Sequence, residues 1–378
     1  MISVQDVSKQ YLEQVIFDNI SFNLNPRERT ALVGRNGHGK TTLFRLLTGQ
    51  EQCDKGIIAI PKNYRVGYLS QHITFTKSTV LEEGCSSLPH DQEGDDWRVK
   101  SVLSGLGFSE DDFNRDPSEF SGGYQIRLNL AKVLVSNPNL LLLDEPTNFL
   151  DIVSIRWLTG FLNNWKNEIV IISHDRGFTD SVATHTLGIH RHKIVKIKGT
   201  TQEYYDRISK AEEIHEKQRL NEDKKRKQAE SFINSFRAKA SHASLVQSRV
   251  KALEKQEVLK KLEKISNLSF SFNIAPFPAK YVQEAQDLTF SYNNPHSPLI
   301  DNISFNVESN DKICIIGKNG KGKTTLLNLL SLFIKPQMKI ISIEDTAEIR
   351  LPHPHWVPEV ARTPIAERGA VDMFELLR

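Results

Sequence analysis

Cysteine is scarce: the 378 residues contain three, Cys53, Cys85 and Cys314, far apart and in no metal-ligand spacing. That excludes a disulfide framework and fits a reducing compartment; three structural thiols is the plain reading. Long apolar runs are missing too. None approaches the ~20 residues that span a bilayer. The strongest run, Leu140–Leu143, is four leucines closed by two acids, the pattern of a buried strand. Met1–Asp6 has no basic flank before an apolar core, so no secretory leader is expected. The expected location is therefore cytoplasmic, with no membrane segment of its own. Net charge is also slight: +3 names no partner. With 25% charged and 39% hydrophobic residues, the composition is that of an ordinary soluble chain of two or three domains.

An internal repeat organises the sequence. Asp18–Leu43 reads DNISFNLNPRERTALVGRNGHGKTTL and Asp301–Leu326 reads DNISFNVESNDKICIIGKNGKGKTTL, 14 of 26 positions identical at a constant offset of 283. Between the copies, residues 206–264 hold sixteen Lys/Arg against ten Asp/Glu, an excess of +6, with no Pro or Gly. Apolar residues there fall at helical spacing (Ala229, Phe232, Ile233, Phe236; then Val246, Val250, Leu253), and a polar gap at Ser241–Ser244 predicts a turn. The reading is an antiparallel helical hairpin; a solvated charged linker is the alternative.

The first copy carries chemistry. Thr30–Val33 predicts a short buried strand, Gly34-Arg35-Asn36-Gly37-His38-Gly39-Lys40-Thr41 a phosphate loop, and the apolar run to Leu47 a helix. Gly34, Gly37 and Gly39 let backbone N–H groups turn toward phosphate oxygens, beside Asn36 and Thr42. The helix start adds the positive end of its dipole. Lys40 is expected on the β- and γ-phosphates and the Thr41 hydroxyl on Mg2+. The strand Leu140–Leu143 delivers Asp144 and Glu145 to its carboxyl end, where ligands sit in open α/β sheets. Asp144 can hold Mg2+, and Glu145 can orient or deprotonate an attacking water.

Ser121-Gly122-Gly123-Tyr124-Gln125, opening the helix IRLNLAKVLV, resembles the signature of the ATP-binding cassette (ABC) ATPases. The resemblance covers essentially residues 1–200. It implies that Gln71 is the lid glutamine and a Mg2+ ligand, that His174 in IISHDRGF is the switch histidine facing the γ-phosphate, that Tyr11 stacks on adenine, and that Asp151 lies in the loop touching a partner cassette. Three passages are similar to the ABC-F branch: DEPTNFLD at 144–151, SHDRGF at 173–178 and FRAKASHASLVQSRVKALEK at 236–255. The branch usually has His where this chain has Phe149, a departure from its pattern. Members generally act on the ribosome. The resemblance therefore implies ribosome, rRNA and tRNA as partners, with Arg237, Lys239, Arg249 and Lys251 as candidate contacts to RNA phosphate.

Gly317–Thr324 is a second phosphate loop after the predicted strand KICII, with Gly317, Asn319, Gly320, Gly322, Lys323, Thr324 and Thr325 in matching positions and Tyr292 where an adenine-stacking aromatic stands. In the first copy the signature begins 81 residues after the loop lysine and the histidine comes 134 after it, whereas 55 residues follow Lys323. The second cassette is therefore expected to lack signature, acidic strand and switch. From about Leu326 the repeat stops matching. Residues 331–378 resemble the type II/IV secretion ATPases, the archaeal motor-like members above all, and KIISIEDTAE resembles their acidic box, with Glu344, Asp345 and Glu348. The alternative is an unrelated amphipathic tail. A chimeric or truncated reading frame is the expectation.

The expected fold is α/β: a complete P-loop NTPase ABC cassette over 1–205, a basic helical linker over 206–265, the start of a second cassette over 281–330, and the tail over 331–378. The expected function is binding and hydrolysis of Mg-ATP by an ABC-F type protein on the ribosome, with hydrolysis impaired in a single chain and restored in a homodimer through first cassettes. A nucleotide-binding subunit of an ABC transporter, and an inactive ATP-binding fragment, stay open as alternatives.

Overall fold

A computed structural model describes residues 1–12, 14–69, 75–92, 94–236, 247–248, 280–292, 298–309, 311–344 and 347–360. The first part runs β1 (Ile2–Tyr11), β2 (Gln14–Leu24), β3 (Arg29–Val33), α1 (Lys40–Leu47), β4 (Lys55–Ala59), β5 (Val66–Tyr68), α2 (Val80–Cys85), α3 (Asp96–Gly105), α4 (Gly122–Val135), β6 (Leu140–Asp144), α5 (Ile152–Asn163), β7 (Glu168–Ile172), α6 (Arg176–Val182), β8 (His185–His190), β9 (Lys193–Lys198) and α7 (Thr201–Phe236). Two sheets form. One is antiparallel, order β2-β1-β4; the other has six strands, order β5-β6-β7-β3-β8-β9, parallel except for β8–β9.

Side-chain alternation explains why the six-stranded sheet is central. Successive residues of a strand face opposite sides. Leu141 and Leu143 of β6, with Ile169 and Ile171 of β7, enter a core with Leu103, Leu128 and Leu134 from α3 and α4. Leu140 and Leu142, with Val170 and Ile172, enter a second core with Leu43, Phe44 and Leu47 from α1 and Ile2, Phe17 and Ile20 from the antiparallel sheet. All eight strand side chains are buried, hence the unbroken apolar runs LLLL and IVII. Each such leucine, truncated to alanine, costs about 2–5 kcal/mol.

Glu83 is a fully buried acid beneath this core. Its carboxylate pairs with Lys132 of α4 and accepts the N–H groups of Thr76 and Lys77, both at 2.8 Å. Burial alone would push its carboxyl up; the Lys132 bond and the two N–H groups outweigh that and hold it below the ordinary range. A depressed folded-state value stabilises the protein above the unfolded value and loses that stabilisation as pH falls through the folded one. Thermal unfolding should therefore shift downward as pH drops below about 4.3. Glu83→Gln should lower stability at pH 7 by about 3 kcal/mol, since it leaves the half-buried Lys132 ammonium without its counter-charge, and should flatten the acid slope. An unchanged melting temperature and slope would refute this.

The expected hairpin is described in one arm. α7 is a continuous helix of 36 residues that begins at Thr201, five residues before the expected linker boundary. Thr201 is buried and bonded to Asp180 through N and Oγ1 at 2.9 and 3.1 Å, so the helix start is anchored to α6. The expected second arm lies outside the described residues, as do Arg237, Lys239, Arg249 and Lys251. Among the described residues no helix is long and apolar enough to cross a membrane.

The C-terminal unit contains the antiparallel pair β10 (Tyr281–Phe290) and β11 (Ile300–Glu308), the helix α8 (Lys323–Ser331), and the parallel pair β12 (Ile340–Glu344) and β13 (Trp356–Val360). One expectation fails here. KICII, residues 312–316, is not a strand. Its counterpart β3 is hydrogen-bonded on both sides, to β7 and β8. Within the described residues 312–316 pair with no strand, so the apolar run has no ladder to satisfy its backbone. Ile316 is 65% exposed where its counterpart Val33 is 8% exposed.

Candidate functional site

The loop between β3 and α1 is shaped by one glycine above the others. Gly39 caps α1 with φ +91°, and a Cβ there would stand 2.3 Å from Ile16 Cγ2. No other residue meets both demands. Gly322 does the same before α8, with φ +80° and Leu299 Cγ 2.9 Å from a Cβ position. Gly37 and Gly320 also have positive φ, +76° and +75°.

Each loop lysine is held in an equivalent cage. Lys40 Nζ donates to Gly34 O, Arg35 O and Asn36 Oδ1 at 2.9, 3.2 and 3.4 Å. Lys323 Nζ donates to Gly317 O, Lys318 O and Asn319 Oδ1 at 2.6, 3.1 and 3.2 Å. The ammonium is thereby fixed over the loop, among oxygens that a phosphate can replace. Burial pulls the Lys40 ammonium below its ordinary range, against the raising pull of Glu145 and Asp144.

Thr41 and Asp144 meet at the carboxyl edge of the central sheet, Thr41 Oγ1 donating to Asp144 Oδ2 at 3.5 Å. Burial raises the Asp144 carboxyl, opposed by Lys40 and Thr41. Glu145 follows with φ +49°, its N–H donating to Ile172 O at 2.9 Å. His174 comes from the end of β7, just before α6, whose start Asp175 caps by accepting Phe178 N–H at 3.0 Å. The His174 N–H donates to Glu145 Oε2 at 3.2 Å, and its Nε2 lies 3.5 Å from Glu145 Oε1. That Oε1 is buried and accepts no hydrogen bond. Burial, with help from Asp144, pushes the Glu145 carboxyl up, against the lowering effect of His174. The residues fit a metal–phosphate group on this ground: a hydroxyl and a carboxylate face each other, with a caged ammonium and an orphaned acceptor beside them. Gln71 lies outside the described residues.

Tyr11 is exposed, its hydroxyl bonded to Glu51 and Thr42 and its ring under Lys9 Nζ at 5.2 Å. Tyr292 repeats the arrangement, its hydroxyl 3.0 Å from Thr325 Oγ1. Both rings thus stand beside a loop helix. Ser121 is the extended residue capping α4, and its side chain makes no cap bond. Ser121 and Gly122 are exposed. Gly123 packs against Phe149, where a Cβ would stand 3.4 Å from Phe149 Cβ.

The second loop does have an acid at its threonine. Thr324 Oγ1 donates to Glu348 Oε2 at 2.8 Å. Glu344, at the end of β12, accepts the N–H groups of Glu348 and Ile349 on Oε1 at 3.2 and 2.9 Å, while its Oε2 is buried with no hydrogen bond. Glu348, which follows β12, thus stands at the first turn of α8. Asp345 lies outside the described residues.

Sequence comparison bears on the same stretches. A family profile described as "ABC transporter" matches residues 17–148 and 300–364, and an extension profile with the same description matches 187–272. The second match passes Leu326 and covers much of the tail, so likeness to this family continues beyond the point where the internal repeat stops. The chain is 33% identical to "Putative ATP-binding protein YdiF" of Bacillus subtilis, over 90% of this chain and 60% of that protein. It is 31% identical to "Uncharacterized ABC transporter ATP-binding protein YfmM" of Bacillus subtilis, over 89% of this chain and 72% of that protein. It is 30% identical to "ATP-binding cassette sub-family F member 3" of Mus musculus, over 89% of this chain and 52% of that protein. The chain thus spans between about half and three quarters of the length of these relatives.

Proposed function

From the premise that this chain belongs to the ABC transporter family of ATP-binding proteins, we propose that it binds and hydrolyses Mg-ATP as an ABC-F type protein working on the ribosome. One observation carries the chemistry: Lys40, Thr41, Asp144, Glu145 and His174 converge on one edge of the central sheet. On phosphate binding Lys40 exchanges carbonyl oxygens for phosphate oxygens, and the loop N–H groups and α1 dipole take the remaining charge. A Mg2+ ion held by Thr41 and Asp144, with Gln71, would neutralise β- and γ-oxygen charge. Glu145 accepts a hydrogen bond from water on its orphaned Oε1 and takes its proton as attack proceeds. A carboxyl raised by burial is a better base than an exposed one. His174 holds Glu145 in place through its N–H. Ser121–Gly123 serve the nucleotide of an opposing cassette.

The ABC-F assignment is supported by DEPTNFLD, SHDRGF and the 236–255 passage, and by the sub-family F name of the mouse relative. We further propose that 331–378 is similar to the secretion ATPases, a reading supported by the acids of KIISIEDTAE. We place Arg237, Lys239, Arg249 and Lys251 on RNA phosphate and the protein in the cytoplasm. The test is co-sedimentation with ribosomes in ATP, beside detergent-solubilised membranes. Ribosome binding should weaken with salt by roughly 0.7–0.9 log units per phosphate contact for each log unit of salt. Binding to membranes instead of ribosomes would favour a transporter subunit, and binding to neither an inactive fragment.

A further inference from the structure

Phe149 has φ +64° and is 44% exposed. A bulky aromatic seldom adopts this left-handed conformation, and it persists only where surroundings impose it. The Phe149 carbonyl is bonded from α4. Arg127 is 1% exposed. Its Nε and Nη2 both donate to Phe149 O, at 3.0 and 2.5 Å, and its Nη1 donates to Leu106 O at 2.9 Å. The guanidinium lies 4.7 Å from the Tyr124 ring centroid, which limits its swing. These acceptors are backbone carbonyls, so the arginine fixes the course of the chain. Phe149 also touches Gly123, in the first turn of α4. From Phe149 the loop leads back to Glu145, whose carbonyl accepts Asn148 N–H at 3.2 Å, while Thr147 O accepts Leu150 N–H at 3.2 Å.

We propose that Arg127 is a positioning residue of the ATPase. It holds Phe149 in its left-handed conformation and so ties the loop after Glu145 to the helix that Ser121–Gly123 open. The role in turnover rests on the ATPase reading above; the hold on the loop does not. Lysine cannot replace the planar fork that places two N–H groups on one carbonyl. Glycine at 149 adopts positive φ freely and removes the need for a hold.

The test compares the intact chain with Arg127→Lys, Phe149→Gly and the double variant. Amide exchange at Asn148 and Leu150, measured without nucleotide, should quicken about tenfold in Arg127→Lys as the loop opens more often. ATPase kcat should fall about tenfold or more, since misplacement by an ångström is costly, with KM within about twofold. In the double variant both readouts should return to within about threefold of Phe149→Gly alone. A merely structural arginine gives no such rescue, and a double variant as impaired as Arg127→Lys overturns the proposal. Should Arg127→Lys fail to fold, Phe149→Val tests the same corner with Arg127 intact. A β-branched residue resists positive φ, so the same faster exchange is expected, and normal exchange overturns the proposal. A wild-type chain without ATPase activity would sink the ATPase reading, and the exchange data would still decide the hold.

Discussion

Lys40→Ala, placed in a Lys323→Ala background so that one loop is read at a time, should weaken Mg-ATP binding by about 100-fold. The lysine gives charge-assisted hydrogen bonds worth about 1.5–3 kcal/mol each, and 1.4 kcal/mol is tenfold in affinity. The cage makes the estimate specific. Lys40 is already aimed by Gly34 O, Arg35 O and Asn36 Oδ1, so little ordering is lost when phosphate arrives. Alanine removes that ammonium and leaves Gly39 and α1 untouched. Isothermal calorimetry on the intact chain is the measurement. Equal affinity with and without Lys40 would remove the phosphate-loop assignment.

Glu145→Gln should lower kcat by about 10²–10⁴-fold, the range for a lost general base. Glutamine keeps the shape and the bond from His174 N–H, and it cannot take a proton. It also removes a negative charge beside the phosphates, so ATP-dependent association of two chains should persist or strengthen. On the proposed reading an opposing copy's Ser121–Gly123 completes the first-cassette site, so wild-type activity should rise more than linearly with protein concentration. Two first cassettes meeting head to tail about a two-fold axis would complete both sites. Specific activity that stays constant on dilution, or survives Glu145→Gln, would contradict the reading.

Much of the first site was legible because its signals are local. Loop, strand and helix are contiguous from Arg29 to Leu47, and the glycines that need positive φ are written in the motif. β6 was legible from four leucines. What the sequence concealed depends on distant chain. KICII has β-forming residues, yet β3 is a strand through β7 and β8, which arrive more than 130 residues later. Arg127 reads as one more helix charge. Its burial and its bonds to Phe149 O join it to a loop 22 positions away, and the one textual hint is that aromatic in place of His, a residue more at ease at positive φ. Glu348 is visible as an acid, but its bond to Thr324, 24 positions away, has no sequence marker. The resemblance puts Tyr11 on the base; its bond to Glu51 is not readable from the sequence, because the two lie 40 positions apart.

The four leucines of β6 set a limit on how this gene can change. Alternate leucines fill opposite cores, and the same alternation aims the carboxylate of Asp144 at Thr41. Exchange of any one leucine for isoleucine or valine keeps that parity. Gain or loss of a single codon between Asn139 and Asp144 reverses it: each core receives the other's side chains, and the acid swings to the far side of the sheet. Across descendants of this chain, substitutions should accumulate in β6 while insertions and deletions are confined to the loops on either side.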